Sequence, residues 1–115
     1  MKEKKITEIV VELMLDKKAL DIKVIKVDKL TSLTDYFINC SSESDPQTRA
    51  IKNHIQDILS SEYSLKPLHI EGFENLQWIL MDYATVVINI FNKETREYYD
   101  IERLWADAEI KTIKK

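Results

Sequence analysis

Apolar and polar positions alternate along the chain with two periods, and the period names the element. Ile6, Ile9, Val10, Leu13 and Met14 recur at i, i+3, i+4, i+7 and i+8 with Lys and Glu between them, which predicts a first helix with one buried stripe. Asp21 to Asp28 then interleaves Ile22, Val24, Ile25 and Val27 with lysines, a strand pattern. Lys29 to Thr34 is turn-like, and Tyr36 to Ser41 is a second strand through Phe37, Ile38 and Cys40. A second helix opens at Ser42-Glu43-Ser44-Asp45-Pro46. Either Ser44 or Asp45 caps it, Pro46 suits the first turn where its missing N–H costs nothing, and Gln47 completes a capping box with Ser44. Its stripe is Ile51, Ile55, Ile58 and Leu59, and it ends near Ser60-Ser61.

The second half is strand-rich. Leu65 to Glu71 reads as a third strand, with Pro67 confining it to an edge or a strand start because proline cannot donate to a ladder. Gly72 to Leu76 turns the chain. Gln77 to Asp82 and Thr85 to Phe91 are the fourth and fifth strands, and the fifth is apolar on both faces, as a central strand should be. After a turn at Asn92 to Glu94, Tyr98, Ile101, Leu104 and Trp105 fall at helical spacing, while Ile110 to Lys115 carries no element. The order α-β-β-α-β-β-β-α predicts an α/β (α+β) domain over residues 1–115: a five-stranded mixed sheet flanked by helices. The fourth and fifth strands would form an antiparallel hairpin, and the strands on either side of the second helix would be parallel.

Composition narrows the chemistry. With 44% hydrophobic and 32% charged residues, the chain is globular, and no apolar run approaches the ~20 residues of a membrane span. The start Met1-Lys2-Glu3-Lys4-Lys5 leads into an amphipathic pattern unlike a signal or transit peptide, and the single Cys40 fits a reducing cytoplasm. The net charge of −3 disfavours nucleic acid as the main contact and suits a basic protein partner. One glycine, Gly72, excludes the glycine-rich loops that cradle phosphates. His54, His69 and Cys40 lie on different elements with no metal-ligand spacing, no strand carries an acid-x-acid pair, and Asp100 and Glu102 sit where acids favour a helix dipole. Neither a metal, a cofactor nor a catalytic group is therefore expected.

The unusual segment is Trp78 to Tyr83. Strand alternation puts Trp78, Leu80 and Asp82 on one face and Ile79, Met81 and Tyr83 on the other. If helices cover both faces the segment is core. If one face is open, it offers an aromatic and aliphatic patch beside an acid, the make-up of an interface hot spot for a basic partner.

Several stretches, in order and over nearly the whole chain, resemble the ribosomal silencing factor, or Iojap-like, family: Ala19-Leu20-Asp21-Ile22, Leu33-Thr34-Asp35-Tyr36-Phe37-Ile38, Ala50-Ile51, Pro67-Leu68-His69-Ile70-Glu71-Gly72, Trp78-Ile79-Leu80-Met81-Asp82-Tyr83, Val86-Val87-Ile88, and Arg96 through Trp105. The resemblance implies a nucleotidyltransferase-like fold without the enzymatic activity. It also implies binding to the large ribosomal subunit through its L-fourteen protein, a steric block to subunit joining, and repression of translation when nutrients are scarce. It further implies a bacterial cytoplasmic location and a homodimer when free. It assigns the partner contact to Trp78 and Asp82, with Leu80, Met81 and Tyr83 as neighbours. The chain departs from the family pattern at Ala84-Thr85, where Gly-Asp is usual, and across Ser41 to Pro46, where a Gly-Thr-Ser turn and an Arg are usual. An enzyme of the nucleotidyltransferase fold and a generic dimerisation module are the competing readings.

Overall fold

The computed structural model describes residues 5–113 except Phe73 and the side chain of Ile101, so Met1–Lys4 and the end of the C-terminal segment lie outside the described residues. Helix α1 (Ile6–Asp16) buries Ile9, Val10, Val11, Leu13 and Met14, four of the five predicted stripe residues with Val11 added, while Ile6 is only partly buried against the same core. It stops in a Schellman-type turn. Lys18 takes a left-handed φ of 61°, its N–H and that of Ala19 bond to the carbonyls of Leu15 and Met14, and the chain is aimed into β1 (Leu20–Lys26). Asp21, at φ 50°, sits in a bulge between Leu20 and Lys23 that breaks the ladder to β2 (Tyr36–Ser42).

Helix α2 (Asp45–Tyr63) starts as its sequence dictates. Ser44 is the cap, its Oγ accepting the Gln47 N–H at 3.2 Å. The Gln47 side chain departs from a capping box. Its Oε1 accepts from the Glu43 N–H at 2.7 Å, while its Nε2 donates to the carbonyls of Lys17 and Lys18 and ties the start of α2 to the end of α1. The helix runs past Ser60-Ser61 to Tyr63 and closes at a left-handed Ser64.

The remaining elements are β3 (His69–Glu71), β4 (Trp78–Asp82), β5 (Val86–Asn92), α3 (Lys93–Tyr99), a 3-10 helix (Ile101–Trp105) and β6 (Glu109–Thr112). They complete one mixed sheet in the order β3-β4-β5-β2-β1-β6. Every neighbouring pair is antiparallel except β2–β5. The central strands β2 and β5 are buried along most of their length, which explains the unbroken apolar run of β5. Helices α1 and α2 cover one face, where Ile38, Cys40, Ile79, Met81, Ile88 and Ile90 are fully buried. On the other face, α3 and the 3-10 helix lie over part of the sheet, with Trp105 on Phe37 and Tyr99 on Trp78.

Three expectations change. The sheet has six strands, because Glu109–Thr112, which overlaps the stretch from Ile110 expected to carry no element, pairs with β1 from Lys23↔Thr112 to Lys26↔Glu109. All four of its residues are exposed, so it is held by backbone bonds at a sheet edge and leaves no apolar signature. The third strand keeps only His69–Glu71, since Pro67 cannot join a ladder. The last helical segment is two short helices, broken where Asp100 adopts a left-handed φ of 47°. The strands on either side of α2, β2 and β3, run in the same direction as expected, with β5 and β4 between them in the sheet. The antiparallel β4–β5 hairpin is as expected.

Gly72 delivers the chain into β4. Its φ is 82°, and a Cβ there would stand 1.9 Å from the Trp78 carbonyl oxygen, inside any tolerable contact. Gly72→Ala is expected to destabilise the fold by about 3 kcal/mol or more, because backbone strain and a backbone clash act together. Urea unfolding monitored by circular dichroism measures it.

Candidate functional site

Strand β4 divides its side chains as alternation requires. Ile79 and Met81 point into the α1/α2 core and are fully buried; Tyr83, just beyond the strand, joins the same core at 7% exposure. Trp78, Leu80 and Asp82 lie on the opposite face and are each half-buried. Of the residues singled out in sequence, the structure therefore brings Trp78, Leu80 and Asp82 together on one surface, and it puts Met81 and Tyr83 beneath that surface. Neither Trp78 nor Asp82 is sealed under a helix. Trp78 is flanked by Phe91 and Tyr99, with ring centroids 5.1 and 5.2 Å away. Asp82 Oδ1 accepts the N–H of Ala84 at 2.8 Å, which stabilises the left-handed Ala84 at the β4–β5 turn. Among the described residues no cationic side chain lies within ion-pair distance of Asp82.

The rim of the surface is apolar and acidic. Across β3, His69 faces Asp82 and Glu71 faces Leu80, with His69 Nε2 hydrogen-bonded to the Glu71 carboxylate. Leu68, whose N–H bonds the Asp82 carbonyl, is 73% exposed. On α3, Tyr98 packs edge-on against Tyr99 and is 82% exposed, so it belongs to the surface, whereas Trp105 is half-buried against Phe37.

Beneath this surface runs a polar strip that sequence reading did not identify. The Trp78 Nε1–H donates to Asn89 Oδ1, Asn89 Nδ2 donates to Asn39 Oδ1, and Asn39 Nδ2 donates to Glu102 Oε2, each at 2.9 Å. The same Glu102 oxygen accepts from Arg96 Nε at 3.1 Å and lies 2.9 Å from Nη2 as an ion-pair contact, while Nη2 itself, a buried atom, makes no hydrogen bond. Arg96 Nη1 continues to the Asp21 carbonyl at 2.6 Å and Ser41 Oγ at 2.8 Å. Asn39 and Asn89 are paired residues of β2 and β5 and are buried, as is Arg96. A signal for them existed in the sequence: each Asn interrupts an apolar strand at its centre, where a buried amide must find a partner. Glu102, expected to answer a helix dipole, instead holds a guanidinium and an amide.

Other chemistry is sparse. Among the described residues no group of His, Cys, Asp and Glu could hold a metal ion. His54 Nε2 meets Asp16 at 3.0 Å, an exposed bond between α2 and α1. A groove of about 670 Å³ lies between α1, β1 and β6, far from β4 in the sheet order. Its Lys5, Lys26 and Lys111 are balanced by Glu8, Glu12 and Glu109, so no single charge converges there. Burial pushes the Cys40 thiol up to about 12 despite the opposing pull of Arg96, and burial also raises the Tyr83 hydroxyl to about 12. No helix among the described residues is long and apolar enough to cross a membrane.

The family model for "Ribosomal silencing factor during starvation" matches residues 1–115. The chain belongs to the ribosomal silencing factor family. It is 36% identical over 108 residues to ribosomal silencing factor RsfS of Bacillus subtilis, covering 94% of this chain and 91% of that protein. It is 31% identical over 104 residues to mouse mitochondrial assembly of ribosomal large subunit protein 1, covering 85% of this chain and 44% of the mouse protein. A crystal structure of a Chromobacterium violaceum protein superposes with a TM-score of 0.86 at 34% identity, covering 92% of this chain and 88% of that one. The resemblance seen in the sequence and the mixed sheet flanked by helices therefore both hold. Membership in a silencing-factor family ties the chain to translation regulation and gives the β4 surface its interest.

The buried thiol makes a prediction about pH. An unfolded thiol ionises near its ordinary value of 9, whereas the folded one stays neutral until about 12. Below about pH 9 Cys40 contributes no pH dependence; above it the unfolded state alone loses a proton, so stability falls as pH rises toward about 12. Tyr83 acts with the same sign. Urea midpoints taken at about pH 8 and about pH 10 are expected to drop, and Cys40→Ala is expected to flatten that drop. Alkylation of Cys40 is expected only when the chain unfolds.

Proposed function

We propose that the chain, acting as one domain over residues 1–115 in the cytoplasm, binds the large ribosomal subunit through its L-fourteen protein and blocks joining of the small subunit. Translation falls as a result when nutrients are limiting. The reading assigns the chain no catalytic step. What carries it is the open half of the sheet face at β4. There an indole, an aliphatic side chain and a carboxylate without a cationic partner among the described residues share one surface.

Each group has a distinct physical role. Trp78 supplies a large apolar area at low conformational cost, and its ring is already fixed by Phe91 and Tyr99. Leu80 extends the patch toward β3. Asp82 offers charge to Lys or Arg of a basic protein, and its carboxylate is preorganised by the Ala84 N–H. Met81 and Tyr83, expected from the resemblance as neighbours at the contact, serve in this reading from below by fixing β4 to the core. Tyr98 and Tyr99 widen the apolar rim. The name of the mouse relative also mentions the ribosomal large subunit, which agrees with the reading.

Co-sedimentation of the purified chain with large subunits tests this. Trp78→Ala is expected to weaken binding by roughly thirtyfold, the scale of an interface hot spot. Asp82→Asn keeps an acceptor for the Ala84 N–H and removes only the charge, so it should weaken binding less and reduce its sensitivity to salt. Unchanged binding by both variants would reject the surface, and failure of the wild-type chain to bind would reject the function.

A further inference from the structure

The hydrogen bonds between Trp78 and Arg96 have a direction that the end groups impose. An indole N–H can only donate and a carboxylate can only accept. Asn89 and Asn39 stand between them, and each must turn its oxygen toward Trp78 and its NH₂ toward Glu102. Reversing either amide would put donor against donor at the Trp78 side or oxygen against carboxylate at the Glu102 side. Both amides are buried, Asn39 at 0% and Asn89 at 1% exposure, so water cannot relieve the mismatch. The polarity is thus held from both ends, by the Trp78 indole at the surface and by the Glu102 carboxylate beneath it.

Resting on the reading of Trp78 as the partner anchor, we propose that Glu102 is a positioning residue for Trp78. Its carboxylate, fixed by Arg96, keeps Asn89 Oδ1 turned toward the indole and so selects the ring orientation that meets the partner. A second route reinforces the first. Arg96 and Tyr99 share α3, so the Arg96–Glu102 pair also holds the element whose ring stacks on Trp78. Phe91 and Tyr99 confine the plane of the ring, and the Nε1–H bond fixes its rotation within that plane.

The test pairs a substitution that removes the acceptor with one that keeps it. Glu102 Oε2 alone accepts from both Asn39 Nδ2 and Arg96 Nε. In Glu102→Gln one amide oxygen takes that place and keeps both bonds. In Glu102→Ala the acceptor is gone, and nothing at that end of the strip holds Asn39 and Asn89 in one direction. The readout is the indole N–H resonance of Trp78 in ¹⁵N-labelled protein, assigned with Trp105→Phe. Trp105 packs on Phe37 outside the strip and reports any general loosening.

Glu102→Ala is expected to shift or broaden the Trp78 resonance, leave that of Trp105 in place, and weaken large-subunit binding about tenfold, the scale of one unsatisfied buried polar group. Glu102→Gln is expected to keep the Trp78 resonance and an affinity within about threefold of wild type. An unmoved Trp78 resonance in Glu102→Ala, or a Glu102→Gln no closer to wild type than Glu102→Ala, overturns the proposal. If Glu102→Ala does not fold, Asn39→Leu cuts the same strip and spares the Arg96–Glu102 pair: a shifted Trp78 resonance there supports the proposal, and an unmoved one overturns it. If the wild-type chain does not bind large subunits, the proposed function falls, and the resonances alone still decide the role of Glu102.

Discussion

A guanidinium cannot be left uncompensated inside a protein, and the arrangement around Arg96 follows from that requirement. Arg96 is nearly buried and is met by the Glu102 carboxylate, the Ser41 hydroxyl and the Asp21 carbonyl. Removing one partner of such a pair costs roughly 3–5 kcal/mol, because a buried charge is left behind. The requirement joins distant parts of the chain. The left-handed Asp21 in the β1 bulge presents its carbonyl to Arg96, and the left-handed Asp100 breaks the last helical segment so that Glu102 can turn back onto it. Two local departures from regular structure thus serve one buried charge.

From Glu102 the constraint passes into the sheet. The amides of Asn39 and Asn89 lie on the two central strands, whose parallel register puts them side by side. This pairing exists only because β5 enters the sheet next to β2, a crossover made by α2 and the β3–β4 excursion. The strip ends at Trp78, where the polar interior meets the open part of the face. The opposite face, under α1 and α2, is an apolar core and carries the bulk of the burial that stabilises the fold. The two faces therefore divide the work: one holds the sheet together, and the other orders a surface.

Much of this was legible in the chain. The α1 and α2 stripes, the Ser44 cap, the strand run of β5 and the alternation along β4 each follow from local periodicity, which needs no knowledge of neighbours. The parity of β4 sufficed to put Trp78, Leu80 and Asp82 on one face. It did not say which face was covered; Met81 and Tyr83, neighbours of the contact by the family resemblance alone, lie in the core on the opposite face. The strand β6 escaped because a fully exposed edge strand has no apolar pattern; only the free backbone of β1 makes it a strand. The split after Tyr99 escaped because helical spacing continues through Trp105, while the break at Asp100 answers a charge on another element.

The sequence by itself determined the first two helices and the inner strands, the exclusion of phosphate-loop chemistry, the family, and the two-sidedness of the Trp78 strand. These rest on interactions between residues close in the chain or on residue types alone. Tertiary structure decided which side of β4 is open, that the isolated polar residues Asn39, Asn89, Arg96 and Glu102 form one strip, and in which direction that strip donates. A hydrogen-bond direction depends on the groups at both ends. Here the ends are an indole on β4 and a carboxylate beyond α3, brought together only by the order of strands in the sheet.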